Sequence, residues 1–125
     1  MSQVVALMED GVLAKKVLLV DDSKSARIVL SRLLQKYYFG VEMAESGEAA
    51  LDYLIDGRPD AIFIDYFMDG MDGLGAIGKI KKDPAISKIP VVMCTANEGD
   101  DYAAAALSYG AIGILPKPPT KERLS

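Results

Sequence analysis

Val17-Leu18-Leu19-Val20-Asp21-Asp22-Ser23 places four consecutive aliphatic residues ahead of two carboxylates and a hydroxyl. An apolar run without polar alternation reads as a strand covered on both faces, the pattern of a parallel sheet. The acidic pair then falls just past the strand's carboxyl end. Four more apolar runs follow, Val41 to Ala44, Ala61 to Ile64, Val91 to Cys94 and Ile112 to Leu115, each pair separated by enough chain for a helix. From Lys16 onward the sequence therefore alternates β and α, the order that predicts helices on both sides of a parallel sheet.

The helices can be placed by their caps and their period. Ser23 is set to cap a first helix in which Ala26, Val29, Leu30, Leu33 and Tyr37 recur at helical spacing, with Arg27, Ser31 and Gln35 off that stripe. Ser46 can cap a second, carrying Ala50, Leu51 and Leu54 and ended by Gly57-Arg58-Pro59. Asp72 can cap a third over Gly73 to Lys82, which Asp83-Pro84 terminates. A fourth is predicted over about Gly99 to Tyr109, with Asp100 and Asp101 at its start and Gly110 as its stop.

After the fifth strand only Thr120 to Ser125 remain, too few for a stable closing helix, so the fifth helix is expected to be truncated or missing. The chain looks cut, or it ends at a boundary beyond which an output segment or linker continues. Residues 1–15 read as an N-terminal extension and residues 16–125 as one domain. The expected fold is α/β, a doubly wound (βα)5 parallel sheet. A strand order of 2-1-3-4-5 would set strands 1, 3, 4 and 5 side by side around the point where the order reverses.

Composition narrows the chemistry. The 125 residues can bury roughly two-thirds of the surface of the unfolded chain, so no disulfide or zinc staple is needed. With 50% hydrophobic and 26% charged residues the profile is that of a soluble globular protein. A net charge of −4 opposes binding to polyanions, so no direct nucleic-acid contact is expected. Cys94 is the single cysteine and excludes an intramolecular disulfide, which suits a reducing, cytoplasmic setting. The absence of histidine removes Ser-His and Cys-His nucleophile pairs and most zinc sites. No run reaches the length of a membrane span. The apolar patch from Val4 to Met8 has no basic leader and meets Glu9 and Asp10, which argues against secretion.

Ligands of open α/β sheets bind in the crevice beyond the carboxyl ends of the strands. Strand one ends in Asp21-Asp22, strand three in Asp65 and strand four in Thr95, while strand five runs through Pro116 into Lys117. Strand two ends in Ala44-Glu45, and that glutamate is expected to be solvated. Each of these residues alone has a plain explanation as a turn, cap, strand or loop residue. Their joint placement points instead to three aspartates, a hydroxyl and an ammonium converging on one crevice. Three carboxylates there repel one another unless a cation joins them, and an oxygen-only donor set suits Mg²⁺, which takes one or two carboxylates plus waters and substrate phosphate oxygens. An aspartate can then serve as nucleophile for a phosphoryl group, with Mg²⁺ and Lys neutralising the oxygens.

With these motifs in place the chain resembles the receiver domains of response regulators in two-component signalling, among them the single-domain chemotaxis regulator. The resemblance covers about Lys16 to Thr120 and rests on V-L-L-V-D-D-S (17–23), F-I-D-Y-F-M-D-G-M-D-G (63–73), P-V-V-M-C-T-A (90–96) and G-I-L-P-K-P (113–118) in order. It implies a flavodoxin-like fold in which Asp65 accepts a phosphoryl group from a phosphohistidine or a small acyl phosphate. By the same likeness Asp21, Asp22 and Asp65 hold Mg²⁺, Asp22 directly and Asp21 largely through water, with the backbone carbonyl of Phe67 as a further ligand. Thr95 would hydrogen-bond the phosphoryl oxygen, Lys117 would pair with it, and Ala96 would leave room beside it. Helix four, strand five and helix five would form the face that changes on phosphorylation, a population shift between two states. Such a protein catalyses its own phosphorylation and dephosphorylation without being a conventional turnover enzyme. The partners implied are a sensor histidine kinase or a histidine phosphotransfer protein. An output domain beyond residue 125 and a phosphorylation-dependent dimer are both compatible with the family.

Several positions depart from the family pattern. Ile114 stands where an aromatic residue often reports the inward movement of Thr95, so coupling between the switch residues Thr95 and Ile114 is expected to take a route other than the usual aromatic one. Asp69 replaces a frequent proline, and Pro119 replaces an aromatic after Lys117-Pro118, a bond that family likeness makes a candidate cis peptide. Phe67 and Asn97 flank the path of hydrolytic water in the family, and Phe67 has no polar group with which to orient it. Two other functions compete. A receiver-fold interaction module that works without phosphorylation is compatible with the changes at Ile114 and Asp69. An aspartate-nucleophile phosphohydrolase needs a second aspartate two positions after the first, where this chain has Phe67. A dinucleotide binder is excluded by the lack of a glycine-rich turn after strand one.

Overall fold

The structure is a computed structural model that describes residues 16–36, 40–68, 70–95 and 100–116, apart from the side chains of 100–103 and 116. The chain runs β1 (Lys16–Val20), α1 (Lys24–Leu34), β2 (Gly40–Ala44), α2 (Gly47–Tyr53), β3 (Ala61–Asp65), α3 (Gly73–Lys82), β4 (Val91–Thr95), α4 (Asp100–Tyr109) and β5 (Gly113–Pro116). The five strands form one sheet in the order β2-β1-β3-β4-β5, and every pairing is parallel. This is the flavodoxin-like doubly wound arrangement. A closing fifth helix, Tyr37, Lys117 and the extension 1–15 fall outside the described residues.

The caps act where their chemistry allows. Ser23 Oγ accepts the Ala26 N–H at 3.3 Å, Ser46 Oγ the Ala49 N–H at 2.9 Å and Asp72 Oδ1 the Gly75 N–H at 2.8 Å. Each satisfies an amide that the first helical turn leaves without a partner. α4 stops at Gly110, whose φ of 115° is open to glycine and costly for other residues.

Alternation along the central strands divides the core between the two faces of the sheet. Leu18, Val20, Ile62, Ile64, Val91 and Met93 meet α2, α3 and α4 through Ala50, Leu54, Ala76, Ile77, Ile80 and Ala106. Val17, Leu19, Ala61, Phe63, Val92 and Cys94 form the opposite cluster with Leu30 and Leu34 of α1. Two details depart from the sequence reading. The inward stripe of α1 runs through Leu30, Ser31 and Leu34, while Val29 is 42% exposed. Ser31 is tolerated inside because its hydroxyl donates to the Ile28 carbonyl at 2.9 Å. Expected to be covered on both faces, β2 is instead an edge strand in which Glu42 and Met43 are exposed, and only Ala44 is buried. Among the described residues its only strand neighbour is β1, so its outer flank lacks the covering that encloses β1, β3 and β4.

At the far end of the sheet Lys81 ties three elements together. Its ammonium donates to the carbonyls of Ser87 and Ile89, both at 2.9 Å, and its stem lies against Gly110. Burial of this group pushes its pKa down from the ordinary 10.5. The unfolded chain therefore binds more protons than the folded one between the lowered value and 10.5, and stability rises with pH across that window. Urea denaturation as pH climbs through it should give a steeper gain for the wild type than for Lys81→Met; equal slopes would contradict the assignment. Phe63 is fully buried, so Phe63→Ala should lose about 3 to 5 kcal/mol by urea denaturation through lost transfer energy and the cavity left behind.

Candidate functional site

Pairing of β1 with β3 sets Val20 opposite Ile64, so the residues that follow, Asp21 and Asp65, emerge together at the carboxyl edge. Neighbouring strands lie only about 4.8 Å apart, and their next side chains share one crevice. Asp21 is buried, its Oδ1 accepts the Ser23 N–H at 2.9 Å, and its own N–H donates to the Ala44 carbonyl at 3.1 Å. Asp65 closes β3 and is 5% exposed, while the next amide, Tyr66 N–H, donates to the Cys94 carbonyl of β4 at 2.9 Å. Asp22 is exposed. One carboxylate oxygen from each of Asp21, Asp22 and Asp65 can be chosen so that all lie within 4.8 Å of one another.

That spread is close to twice a metal–oxygen distance of roughly 2.0 to 2.6 Å, so one divalent ion could touch all three. The donor set is carboxylate oxygen throughout, with no thiol or imidazole, which favours a hard cation. Two of the three groups, Asp21 and Asp65, are buried, and carboxylates held this close in a poorly screened setting repel one another. A cation there relieves that repulsion. The residues present thus fit Mg²⁺.

Thr95 closes β4 and is 1% exposed. β4 is the neighbour of β3, with Asp65 opposite Cys94, so Thr95 stands one residue beyond that pair. Ile114 lies opposite Met93 and packs partly buried against the α2–α4 side of the core, on the strand that places Pro116 opposite Thr95. Phe67 is 50% exposed, its ring 4.7 Å from that of Tyr66 in a tilted pair. Glu45 is exposed, as expected of a solvated residue. Lys117 lies outside the described residues, as do Asp69, Ala96, Asn97, Pro118 and Pro119.

The sequence reading missed Arg27, which it set off the apolar stripe of α1. Its guanidinium reaches back to donate to the Asp21 carbonyl at 2.7 Å, bracing the backbone between the two acidic residues. The available signal was position: four residues after the Ser23 cap, Arg27 is one turn into the helix and faces the strand end from which the helix departs.

Comparison with known proteins agrees with this architecture. The sequence profile of the response regulator receiver domain matches residues 17–125. The protein-glutamate methylesterase/protein-glutamine glutaminase 1 of Anaeromyxobacter dehalogenans is 38% identical over 109 residues, 85% of this chain and 30% of that protein. The response regulator MprA of Mycobacterium sp. (strain KMS) is 34% identical over 109 residues, 87% of this chain and 46% of that protein. The chain thus spans less than half the length of these relatives. Among solved structures, chemotaxis protein CheY4 of Vibrio cholerae superposes with a TM-score of 0.78 at 32% identity, covering 89% of this chain and 92% of that one. With its parallel 2-1-3-4-5 sheet and a profile match running from β1 past β5, the chain belongs to the response regulator receiver domain family of two-component signalling.

Proposed function

We propose that this receiver domain is a Mg²⁺-dependent phosphoryl switch whose acceptor is Asp65. The observation that carries the reading is the convergence of Asp21, Asp22 and Asp65 within 4.8 Å at the carboxyl edge of the sheet. Asp21, Asp22, Asp65 and the Phe67 backbone carbonyl would hold the ion. When bound, Mg²⁺ supplies charge neutralisation for the transferring phosphoryl group.

An Asp65 carboxylate oxygen attacks phosphorus in line with the bond to the leaving group. The P–N bond of a phosphohistidine, or the P–O bond of an acyl phosphate, breaks and its electron pair departs with the donor. Asp65 becomes the acyl phosphate. The Thr95 hydroxyl donates to a phosphoryl oxygen and the Lys117 ammonium pairs with another, so each stabilises charge already present in the transition state. Movement of Thr95 toward the phosphoryl group would then be felt by Ile114, shifting the face made by α4, β5 and the following segment. Being aliphatic, Ile114 couples through packing volume and not through rotation of an aromatic ring.

The receiver unit is taken as residues 16–125 and residues 1–15 as an extension of it. Its phosphodonor is a sensor histidine kinase or a histidine phosphotransfer protein, its setting the cytoplasm, and an output domain after residue 125 and a phosphorylation-dependent dimer fit the same role. No direct nucleic-acid or membrane contact is proposed for this domain: the net charge is −4, and among the described residues no helix is long and apolar enough to cross a membrane.

Incubation with Mg²⁺ and a small acyl phosphate should add one phosphoryl group to the wild type and none to Asp65→Asn, as read by intact mass. An absence of adduct on both, even at high donor concentration, would point to a phosphorylation-independent interaction module. Steady hydrolysis of phosphomonoesters would point to a phosphohydrolase. Because exposed Phe67 offers hydrolytic water no polar guide, the phosphoryl group should persist at the longer end for receivers, and Phe67→Asn should hasten its loss. Rapid loss from the wild type, made no faster by Phe67→Asn, would contradict this.

A further inference from the structure

The first residue of α3, Gly73, lies against the backbone of the residue that carries the chemistry. It is buried, and a Cβ added to it would run into the Asp65 carbonyl oxygen, with the Asp65 carbonyl carbon and Tyr66 Cα each 3.1 Å away. The Gly73 N–H donates to the Tyr66 carbonyl at 3.1 Å. The peptide unit joining Asp65 to Tyr66 is thus held on both sides. Its N–H is fixed by Cys94 of β4 at 2.9 Å, and its oxygen faces the bare Cα of Gly73.

We propose that Gly73 is a positioning residue for the phosphoacceptor: its lack of a side chain lets α3 close on the Asp65–Tyr66 peptide and fix the direction of the Asp65 carboxylate. This deepens the reading of Asp65 as acceptor and rests on it. The obstacle a methyl group would meet is backbone, which cannot swing aside as the end of a side chain can. Carbon and carbonyl oxygen rest at about 3.3 Å or more, so the peptide must shift on the order of 1 Å. To relieve the contact the Asp65 Cα–C unit is pushed away from α3, and the Cβ borne by that Cα moves with it. The shift strains the Tyr66–Cys94 hydrogen bond and displaces the start of the loop that leads to the Phe67 carbonyl. A misplacement of that size at a reacting group typically costs about 10²-fold in rate.

Gly78 of the same helix is the built-in control. A Cβ there meets only Tyr109 Cδ2 at 3.8 Å, an ordinary contact, so Gly78→Ala should raise the melting temperature through helix propensity. Gly73→Ala and the double variant Gly73→Ala/Gly78→Ala are compared with wild type for melting temperature, for Mg²⁺ affinity from the rise of melting temperature with MgCl₂, and for the initial rate of phosphoryl uptake by intact mass. The expected result is a double variant with melting temperature restored toward wild type, Mg²⁺ affinity still reduced and phosphoryl uptake still slower by about 10²-fold. Recovery of affinity and uptake together with melting temperature would make Gly73 merely structural and overturn the proposal. Unchanged Mg²⁺ affinity in the double variant would overturn it whatever the uptake. If the wild type binds Mg²⁺ but takes no phosphoryl group, while the double variant binds the ion more weakly, the phosphoacceptor reading falls and only the orienting of the Asp65 carboxylate toward the ion by Gly73 stands. A wild type without any response to MgCl₂ would sink both.

Discussion

The register between β1 and β3 governs the molecule. Because Val20 faces Ile64, continuing each strand by one residue brings a carboxylate from each to the same point, and no choice of rotamer can separate them widely. Two buried acids side by side are unfavourable at the ends of strands that are otherwise largely apolar. The arrangement persists because β1 and β3 are gripped on both faces, by Leu30 and Leu34 from one side and by Ala76, Ile77 and Ile80 from the other. Core packing thus holds three carboxylates where one divalent ion could join them.

The supports around this point belong to different parts of the chain. Arg27 from α1 grips the Asp21 carbonyl, the Ala44 carbonyl of β2 holds the Asp21 amide, and Cys94 of β4 holds the amide after Asp65. Three secondary-structure elements, one adjoining the site and two distant in sequence, therefore fix the backbone of two residues. A rigid frame of this kind suits a site that must present oxygens to both a metal and a phosphoryl group without reorganising.

Much of this was legible in the sequence because the signals were local. Ser23, Ser46 and Asp72 are caps by virtue of their own side chains, and the apolar runs mark strands whatever surrounds them. The acidic residues at the ends of β1 and β3 could be paired once the strand order was assumed. What could not be read was set by neighbours. Ser31 turns inward because the Ile28 carbonyl lies within reach, a bond invisible in a hydrophobicity pattern that favours Val29 for the same role. Val41 to Ala44 contains two apolar residues besides its alanine, yet among the described residues no strand lies outside β2, and Met43 meets solvent. Gly73 looked like any glycine at a helix start. Its close approach to Asp65 depends on where the loop between them folds back.

Gly110 has two separate reasons to remain a glycine. Its φ of 115° excludes other residues on conformational grounds, and a Cβ there would sit 2.9 Å from Cγ of Lys81. The lysine in turn is engaged by the Ser87 and Ile89 carbonyls. The ends of α3 and α4 and the approach to β5 therefore meet at one corner, remote from the acidic edge, that has no room for a side chain at residue 110.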